Sequence, residues 1–251
     1  MSEIRICLLQ TQAENAGAQE ISRLVGDGLS ARGFAVRHVF LFRRTAGFDH
    51  RADAVFCAPR RPRTLGEALR LFANLYRILR RERPDVLLCF QHWGNLVGAV
   101  LGRLARAGRI VANQNSAVLT TPRLARRLDR LAGALGLYDA IVVNSADTAE
   151  GFAAYPEAYR RRMARIDHGF ECKTSSLDRG AARAAFGLPR EGTLLGCVAR
   201  LHPLKHLDAA IRLLPHDPAW RLVLVGQGEE EARLRALADE LGCGGRVHFL
   251  G

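Results

Sequence analysis

The sequence has little of several features that would assign it to particular protein classes. Only two of its 37 basic residues are lysine, aromatic residues make up 7% of it, and no apolar run approaches the roughly 20 residues of a membrane span. Its first residues do not have the layout of a signal peptide. The hydrophobic fraction of 48% is still enough for a core, built mainly from Leu, Val, Ile and Ala. These absences predict a cytoplasmic protein.

Cysteine occurs without a recognisable pattern. The six cysteines, at positions 7, 57, 89, 172, 197 and 243, form no Cys-x-x-Cys pair, and four of them lie in apolar, strand-like runs. Reduced and buried thiols are the expected state of such residues in a cytosolic protein. The sequence therefore predicts neither a disulfide framework nor a metal site.

The net charge of +12 is unevenly distributed. Residues 1–171 hold 26 of the basic residues against 16 acidic ones. A basic surface attracts the phosphates of lipid headgroups or nucleic acid, although a general arginine bias with solvated helix faces explains the same composition. We expect no nucleic-acid partner, because aromatic residues are not interleaved with the arginines and no recognition module is visible. Peripheral contact with an anionic membrane, at the inner face of the plasma membrane, stays open.

Short apolar runs alternate with helical patterns along the whole chain. In the C-terminal part, strand-like runs at 194–199, 222–225 and 247–250 are separated by segments with apolar residues at helical spacing. This alternation predicts βαβ units and an α/β fold with parallel sheets. We predict a first domain at 1–170, a linker at 171–193 and a second domain from 194 to 251.

Two cations and two glycines follow strands of the second domain. Arg200 and Lys205 come after the first strand, and Gly226 and Gly228 come after the second. Ligands of open parallel sheets bind beyond the carboxyl ends of the strands. We therefore expect an anion-binding crevice, in which the glycines let a ligand approach the backbone. An ordinary surface salt-bridge pair is the alternative for the two cations.

Together with the ending Phe249-Leu250-Gly251, this pattern resembles the nucleotide-sugar half of the retaining family-4 glycosyltransferases. The resemblance implies a GT-B-like fold with two Rossmann-like parallel-sheet domains, the first on the acceptor side. It implies that Arg200 and Lys205 are catalytic residues that bind the diphosphate of a UDP- or GDP-sugar, with no further cofactor. The implied enzyme is a hexosyltransferase that acts with retention on a saccharide or lipid-linked acceptor, in envelope polysaccharide or lipopolysaccharide synthesis.

The resemblance also implies donor-binding residues outside this crevice. Asn15 and Gly17 stand before the first helix, where a glycine of the family lets backbone amides approach the donor phosphates. An ordinary loop is the alternative for this short motif. His168 and Gly169 follow the strand that leads toward the second domain, and the resemblance makes them donor-side candidates.

Three residues are candidates for the acceptor side. His92 follows the strand at 86–90, and a structural histidine is the alternative for it. Gln114 and Asn115 occupy a loop in which many relatives have a histidine. Amides can hydrogen-bond sugar hydroxyls, but they cannot shuttle protons at neutral pH. The sequence therefore puts a histidine-dependent role of this loop in doubt.

Two helices of the first domain have strongly apolar sides. The helix at 65–79 is expected to bury one side, made of Leu65, Ala68, Leu69, Phe72, Leu75, Tyr76 and Leu79. The helix at 122–135 has four leucines opposite four arginines, which are Leu124, Leu128, Leu131, Leu135 and Arg123, Arg126, Arg127, Arg130. Packing of these leucines on the sheet is the first interpretation, and a membrane-surface helix is the second.

The sequence departs from the family pattern after Gly251. Relatives continue into a motif of two glutamates separated by seven residues, so the second domain is predicted to be incomplete, with a sheet edge that favours self-association. The alternatives to an active enzyme are a truncated, non-catalytic fragment or a partner module of a full-length glycosyltransferase. A GT-B relative with epimerase or phosphorylase chemistry also stays open.

Overall fold

The structure, a computed structural model, describes residues 3–14, 16–169 and 174–251. The chain divides into two compact units, residues 1–171 and residues 172–251. Each unit is built on a parallel sheet, which confirms the predicted α/β class. No helix among the described residues is long and apolar enough to cross a membrane.

The first unit contains a seven-stranded parallel sheet. Its strands are β1 (Arg5–Ala13), β2 (Ala35–Arg43), β3 (Ala54–Phe56), β4 (Val86–Phe90), β5 (Arg109–Gln114), β6 (Ala140–Val143) and β7 (Met163–Arg165). They lie in the order β3-β2-β1-β4-β5-β6-β7. Its helices are α1 (Gly17–Ser30), α2 (Leu65–Glu82), α3 (His92–Ala105), α4 (Arg123–Ala134), α5 (Ala146–Gly151) and α6 (Glu157–Arg160).

The second unit contains a three-stranded parallel sheet. Helix α7 (Arg179–Ala185) precedes β8 (Thr193–Val198), and α8 (Leu207–Leu213), β9 (Trp220–Val225), α9 (Glu231–Glu240) and β10 (Val247–Phe249) follow in turn. The strand order is β10-β9-β8, so β9 is central. Its buried residues Leu222 and Leu224 pack against Ile211 of α8 and Leu234 of α9. This core holds the carboxyl ends of β8 and β9 side by side.

Alternate residues of the first sheet enter two separate cores. Leu9 and Leu87 face the side covered by α2, α3 and α4, whereas Leu8 faces the side covered by α1. Both faces of a parallel sheet must be covered, so its strands are apolar on both sides. Because the seven strands are parallel, their carboxyl ends lie along one edge of this unit.

Helix α3 packs on the sheet through glycine. Gly94, Gly98 and Gly102 recur every four residues and therefore share one side of the helix. A Cβ atom at Gly98 would lie 2.4 Å from Cys89 Sγ, and one at Gly102 would lie 2.9 Å from Ile110 Cδ1. Only glycine allows this close approach. The exposed apolar residues of α3, which include Val100 and Leu104, lie on the side away from these glycines.

The expected packing of α2 and α4 is wrong in part. Helix α2 buries the side that contains Leu71, Leu75 and Leu79. Four residues of its predicted inner side are exposed, which are Leu65, Leu69, Phe72 and Tyr76. Helix α4 buries Ala125, Asp129, Ala132 and Gly133 and exposes its three leucines, and Leu135 directly after it is exposed as well. The reason is steric, because Gly133 lies directly against the ring of Tyr159, which leaves no room there for a larger side chain.

Replacement of Gly98 by Ala tests the packing of α3. We expect Gly98→Ala to lower the free energy of unfolding by about 1–2 kcal/mol, because over-packing costs about 1–3 kcal/mol and the better helix propensity of alanine returns part of it. Unfolding in urea is followed by the fluorescence of Trp93 in a Trp220→Phe background.

The matched control is Gly28→Ala in α1, where the nearest atom to the added Cβ is 3.6 Å away. This change should raise stability by up to about 1 kcal/mol, because alanine favours a helix over glycine. Equal effects at the two positions would contradict the proposed packing.

Candidate functional site

The loops after β8 and β9 stay paired beyond the ends of the strands. The Ala199 amide donates to the Val225 carbonyl at 3.0 Å, and the Leu201 amide donates to the Gln227 carbonyl at 3.0 Å. The two loops therefore form one backbone platform at the carboxyl edge of the second sheet.

Gly226 and Gly228 make this pairing possible. Gly226 has a φ of 140°, which side-chain-bearing residues rarely adopt, and a Cβ there would lie 2.0 Å from the Ala199 carbonyl oxygen. A Cβ at Gly228 would lie 2.1 Å from the Leu201 carbonyl oxygen. The structure thus gives both glycines a packing reason that the sequence interpretation did not include. Their role toward a ligand stays a prediction.

Arg200 and Lys205 lie on the loop after β8 with exposed side chains. Lys205 closes a 3₁₀ turn, Pro203–Lys205. Neither cation has an ion pair or a side-chain hydrogen bond among the residues that the structure describes. The structure therefore does not support the alternative that these two cations belong to surface salt bridges. Both positive charges are therefore available to bind an anionic ligand.

Each acidic residue of the neighbouring loop has a side-chain neighbour within the second unit. Glu229 lies 3.7 Å from Nε2 of His202, whose Nδ1 accepts a hydrogen bond from the Leu204 amide at 3.3 Å. The two glutamates that follow are bound by Arg233 and Arg235, one turn along α9. None of the three glutamates forms an ion pair with Arg200 or Lys205. In the described ranges, no group of three or more His, Cys, Asp or Glu residues could hold a metal ion.

The first unit has a strained turn at the carboxyl end of β4. Gln91 has φ 65° and ψ 154°, a region that is otherwise almost restricted to glycine, and its Oε1 accepts a hydrogen bond from the Thr11 amide at 3.2 Å. The turn sets His92 at the start of α3, where burial lowers the pKa of its imidazole. The ring of Trp93 lies next to it, 5.5 Å away between centroids.

Gln114, predicted for the acceptor side, has a side chain that is engaged inside the first unit. Its side chain is buried, and its Nε2 donates to Asp129 Oδ1 at 3.0 Å and to the Tyr159 hydroxyl at 2.9 Å. Tyr138 and Tyr159 also donate to the Asp129 carboxylate, each at 2.9 Å. Burial raises the pKa of Asp129, and these hydrogen bonds oppose the rise. The amide of Gln114 thus belongs to a polar network within the core.

The other described candidates of the first unit lie at or beyond the carboxyl edge of its sheet. Asn115 is half-buried, and its Nδ2 has no hydrogen-bond partner among the described residues. Gly17 begins α1 and has open space beside it. His168 and Gly169 are exposed in the segment after β7. Asn15 lies outside the described residues. Roles for these residues stay predictions.

Sequence reasoning missed the Asp129 network and the strain at Gln91. One signal for the network was available, because Asp129 is the only acidic residue in a helix of Arg, Leu, Ala and Gly. The strain at Gln91 has no such signal, since a glutamine gives no indication of a positive φ.

Family profiles cover nearly all of the chain. The profile described as "Glycosyltransferase Family 4" matches residues 17–173, and the profile described as "Glycosyl transferases group 1" matches residues 178–251. Among characterised proteins, the D-inositol 3-phosphate glycosyltransferase of Mycobacterium avium (strain 104) is 36% identical over 118 residues. That match spans 45% of this chain and 28% of the length of the relative.

Solved structures share the fold. The structure of Anabaena Alr3699/HepE in complex with UDP and glucose has a TM-score of 0.83 at 20% identity, over 99% of this chain and 69% of that chain. WaaG, a glycosyltransferase involved in lipopolysaccharide biosynthesis, has a TM-score of 0.69 at 17% identity, over 98% and 69% of the two chains. These similarities confirm the predicted GT-B-like fold.

Replacement of Gly226 by Ala tests the platform that carries the cations. We expect Gly226→Ala to destabilise the second unit by at least about 2 kcal/mol, because backbone strain and over-packing each cost about 1–3 kcal/mol. Urea unfolding is followed by the fluorescence of Trp220 in a Trp93→Phe background. The control is Gly245→Ala, which meets no atom within 4 Å and should stay within about 0.5 kcal/mol of the parent. A free energy of unfolding that is the same in Gly226→Ala as in the parent would refute the steric argument.

Proposed function

Because the chain belongs to glycosyltransferase family 4, we propose that it transfers a sugar from a nucleoside diphosphate sugar to an acceptor. The observation that carries this proposal is the pair of exposed cations, Arg200 and Lys205, which have no anionic partner among the described residues. They stand at the carboxyl edge of a parallel sheet, where ligands of such sheets bind.

The two cations are proposed to bind the donor diphosphate. Negative charge grows on the diphosphate as the bond to the sugar breaks, and fixed cations at that place stabilise the transition state. Arg200 offers a planar fork of donors, whereas Lys205 offers a compact ammonium. We propose a UDP- or GDP-sugar as donor, with no organic cofactor, and transfer with retention of the anomeric configuration. The Anabaena structure with UDP supports UDP as the first nucleotide to test.

The acceptor is proposed to be a saccharide or a lipid-linked saccharide of the cell envelope. The basic first unit supports a phosphate-bearing acceptor at an anionic membrane surface, which would place the protein at the inner face of the plasma membrane. The similarity to WaaG, a protein of lipopolysaccharide biosynthesis, supports the same class. His92 is the proposed acceptor-side residue, because the turn at Gln91 sets it at the sheet edge.

Nucleotide binding tests the donor site without knowledge of the acceptor. Titration calorimetry with UDP and GDP should show binding of one of them to this chain. Arg200→Ala and Lys205→Ala should each weaken it about 10- to 100-fold, because a hydrogen bond to a charged group contributes about 1.5–3 kcal/mol. Arg212→Ala, which removes an exposed arginine of α8, is the matched control and should bind like the parent.

Two results would count against the proposal. One is that neither nucleotide binds, and the other is that the Arg200 and Lys205 variants bind as well as the Arg212 variant. Incubation with the UDP- or GDP-sugar alone provides a further check. Formation of an altered nucleotide sugar or free altered sugar without acceptor would favour epimerase chemistry over transfer.

A further inference from the structure

The outer surface of α3 is apolar from end to end. Its small residues face the sheet, whereas Trp93, Val100 and Leu104 are exposed, Leu104 to 63%. A surface helix normally has the opposite arrangement, with its large apolar residues inside. Helix α3 therefore packs one side on the sheet and exposes a second, apolar side.

Helix α4 has the same inverted arrangement. It buries Ala125 and Ala132, whereas its exposed leucines include Leu128 and Leu131. These two leucines turn toward α3 and line a groove of about 460 Å³ between the helices. The groove is lined by apolar residues alone, which are Phe72, Trp93, Leu96, Val97, Val100, Leu101, Leu128, Leu131, Ala132, Leu135 and Leu137. Its volume lies within the roughly 300–1,000 Å³ of ligand sites.

The free charges around the groove are positive. The three acidic residues of α2, α3 and α4 are all engaged: Glu67 with Arg60, Glu82 with Arg81, and Asp129 in the core. In contrast, the exposed arginines of α4 at positions 123 and 127 have no ion-pair partner among the described residues.

Arg127 is placed to bind a phosphate beside the groove. It is three residues from Leu124 and four from Leu131, so it is their direct neighbour on the helix surface. Arg123 lies one turn earlier on the same side. An apolar groove with adjacent arginines matches an anionic amphiphile, with its chain in the groove and its phosphate at the arginines.

A second copy of this chain fits the same surface less well. A two-fold interface brings the same patch of both copies together, so the arginines of α4 would face arginines. Like charges across an interface oppose association. The charge pattern therefore favours an anionic partner over the chain itself.

We propose that the face formed by α2, α3 and α4 docks on a bilayer of anionic phospholipid, with an acyl chain in the groove and lipid phosphates at Arg123 and Arg127. This inference rests on the proposed function in one respect, because it assigns the membrane contact proposed there to a specific face of the first unit. It does not depend on nucleotide binding, which involves the second unit.

Trp93 makes the groove directly observable. In a Trp220→Phe chain it is the only tryptophan, and it lines the groove. Vesicles of phosphatidylcholine with phosphatidylglycerol, labelled with bromine in the acyl chains, should quench its fluorescence. Vesicles of phosphatidylcholine alone should quench it little, and added salt should reduce the quenching by the anionic vesicles.

Charge placed in the groove should abolish docking. Leu131→Glu is expected to remove the quenching, because a carboxylate would have to enter the apolar phase beside anionic lipid. Leu213→Glu is the matched control, since Leu213 is 47% exposed in the second unit and Leu131 is 53% exposed. Arg127→Gln should weaken vesicle binding about fivefold, as expected for one arginine near an anionic surface, whereas Arg190→Gln should not.

The same samples separate this inference from the proposed function. If the Leu131→Glu chain binds the nucleotide but not the vesicles, the docking face is supported. If Trp93 is not quenched by anionic vesicles, or if Leu213→Glu reduces docking as much as Leu131→Glu, the inference is overturned while nucleotide binding still stands. A parent chain that sediments as a dimer and becomes monomeric with Leu131→Glu would assign the face to a second copy and would also overturn it.

Discussion

Close approach of backbone and side chains to glycine is the constraint on which both units depend. In the first unit, Gly98 lets α3 pack closely on the sheet, and Trp93, Val100 and Leu104 are exposed on the other side of that helix. In the second unit, Gly226 and Gly228 let the loops after β8 and β9 pair through their backbones. The apolar groove and the cationic platform are therefore consequences of the same kind of contact. A methyl group at any of these positions has no space.

Charge is distributed so that particular cations stay free. Acidic side chains near both regions are bound by their own partners, such as Arg235 for Glu231 in α9 and Arg60 for Glu67 in α2. Exposed ion pairs of this kind contribute little to stability, about 0–1 kcal/mol each. Because these carboxylates are already engaged, cations without an ion-pair partner among the described residues, such as Arg200 and Arg127, stay available for phosphate.

The sequence predicts the elements well and the direction of their side chains less well. Strand β4 was expected at 86–90 and is found at Val86–Phe90, because apolar runs bounded by turns indicate buried strands directly. Periodicity takes the largest apolar residues as the inner side, so it fails for α4, which buries alanine and glycine. Gln114 could have been placed, since Ile110 and Ala112 face the core at period two and Gln114 is next. The pairing of Glu230 and Glu231 with arginines of α9 could also have been predicted, because it follows the i,i+3 and i,i+4 spacing of a helix, whereas the contact of Glu229 with His202 joins two loops and has no local pattern.

Helix α3 connects the proposed acceptor side with the proposed membrane face inside one unit. His92 and Trp93 are consecutive residues, with ring centroids 5.5 Å apart, yet one lies at the carboxyl edge of the sheet and the other lines the groove. The strained turn at Gln91 fixes both positions, because it starts the helix directly at the end of β4. Docking of this face on a bilayer would therefore hold the proposed acceptor-side residue next to the membrane, where a lipid-linked acceptor has its head group.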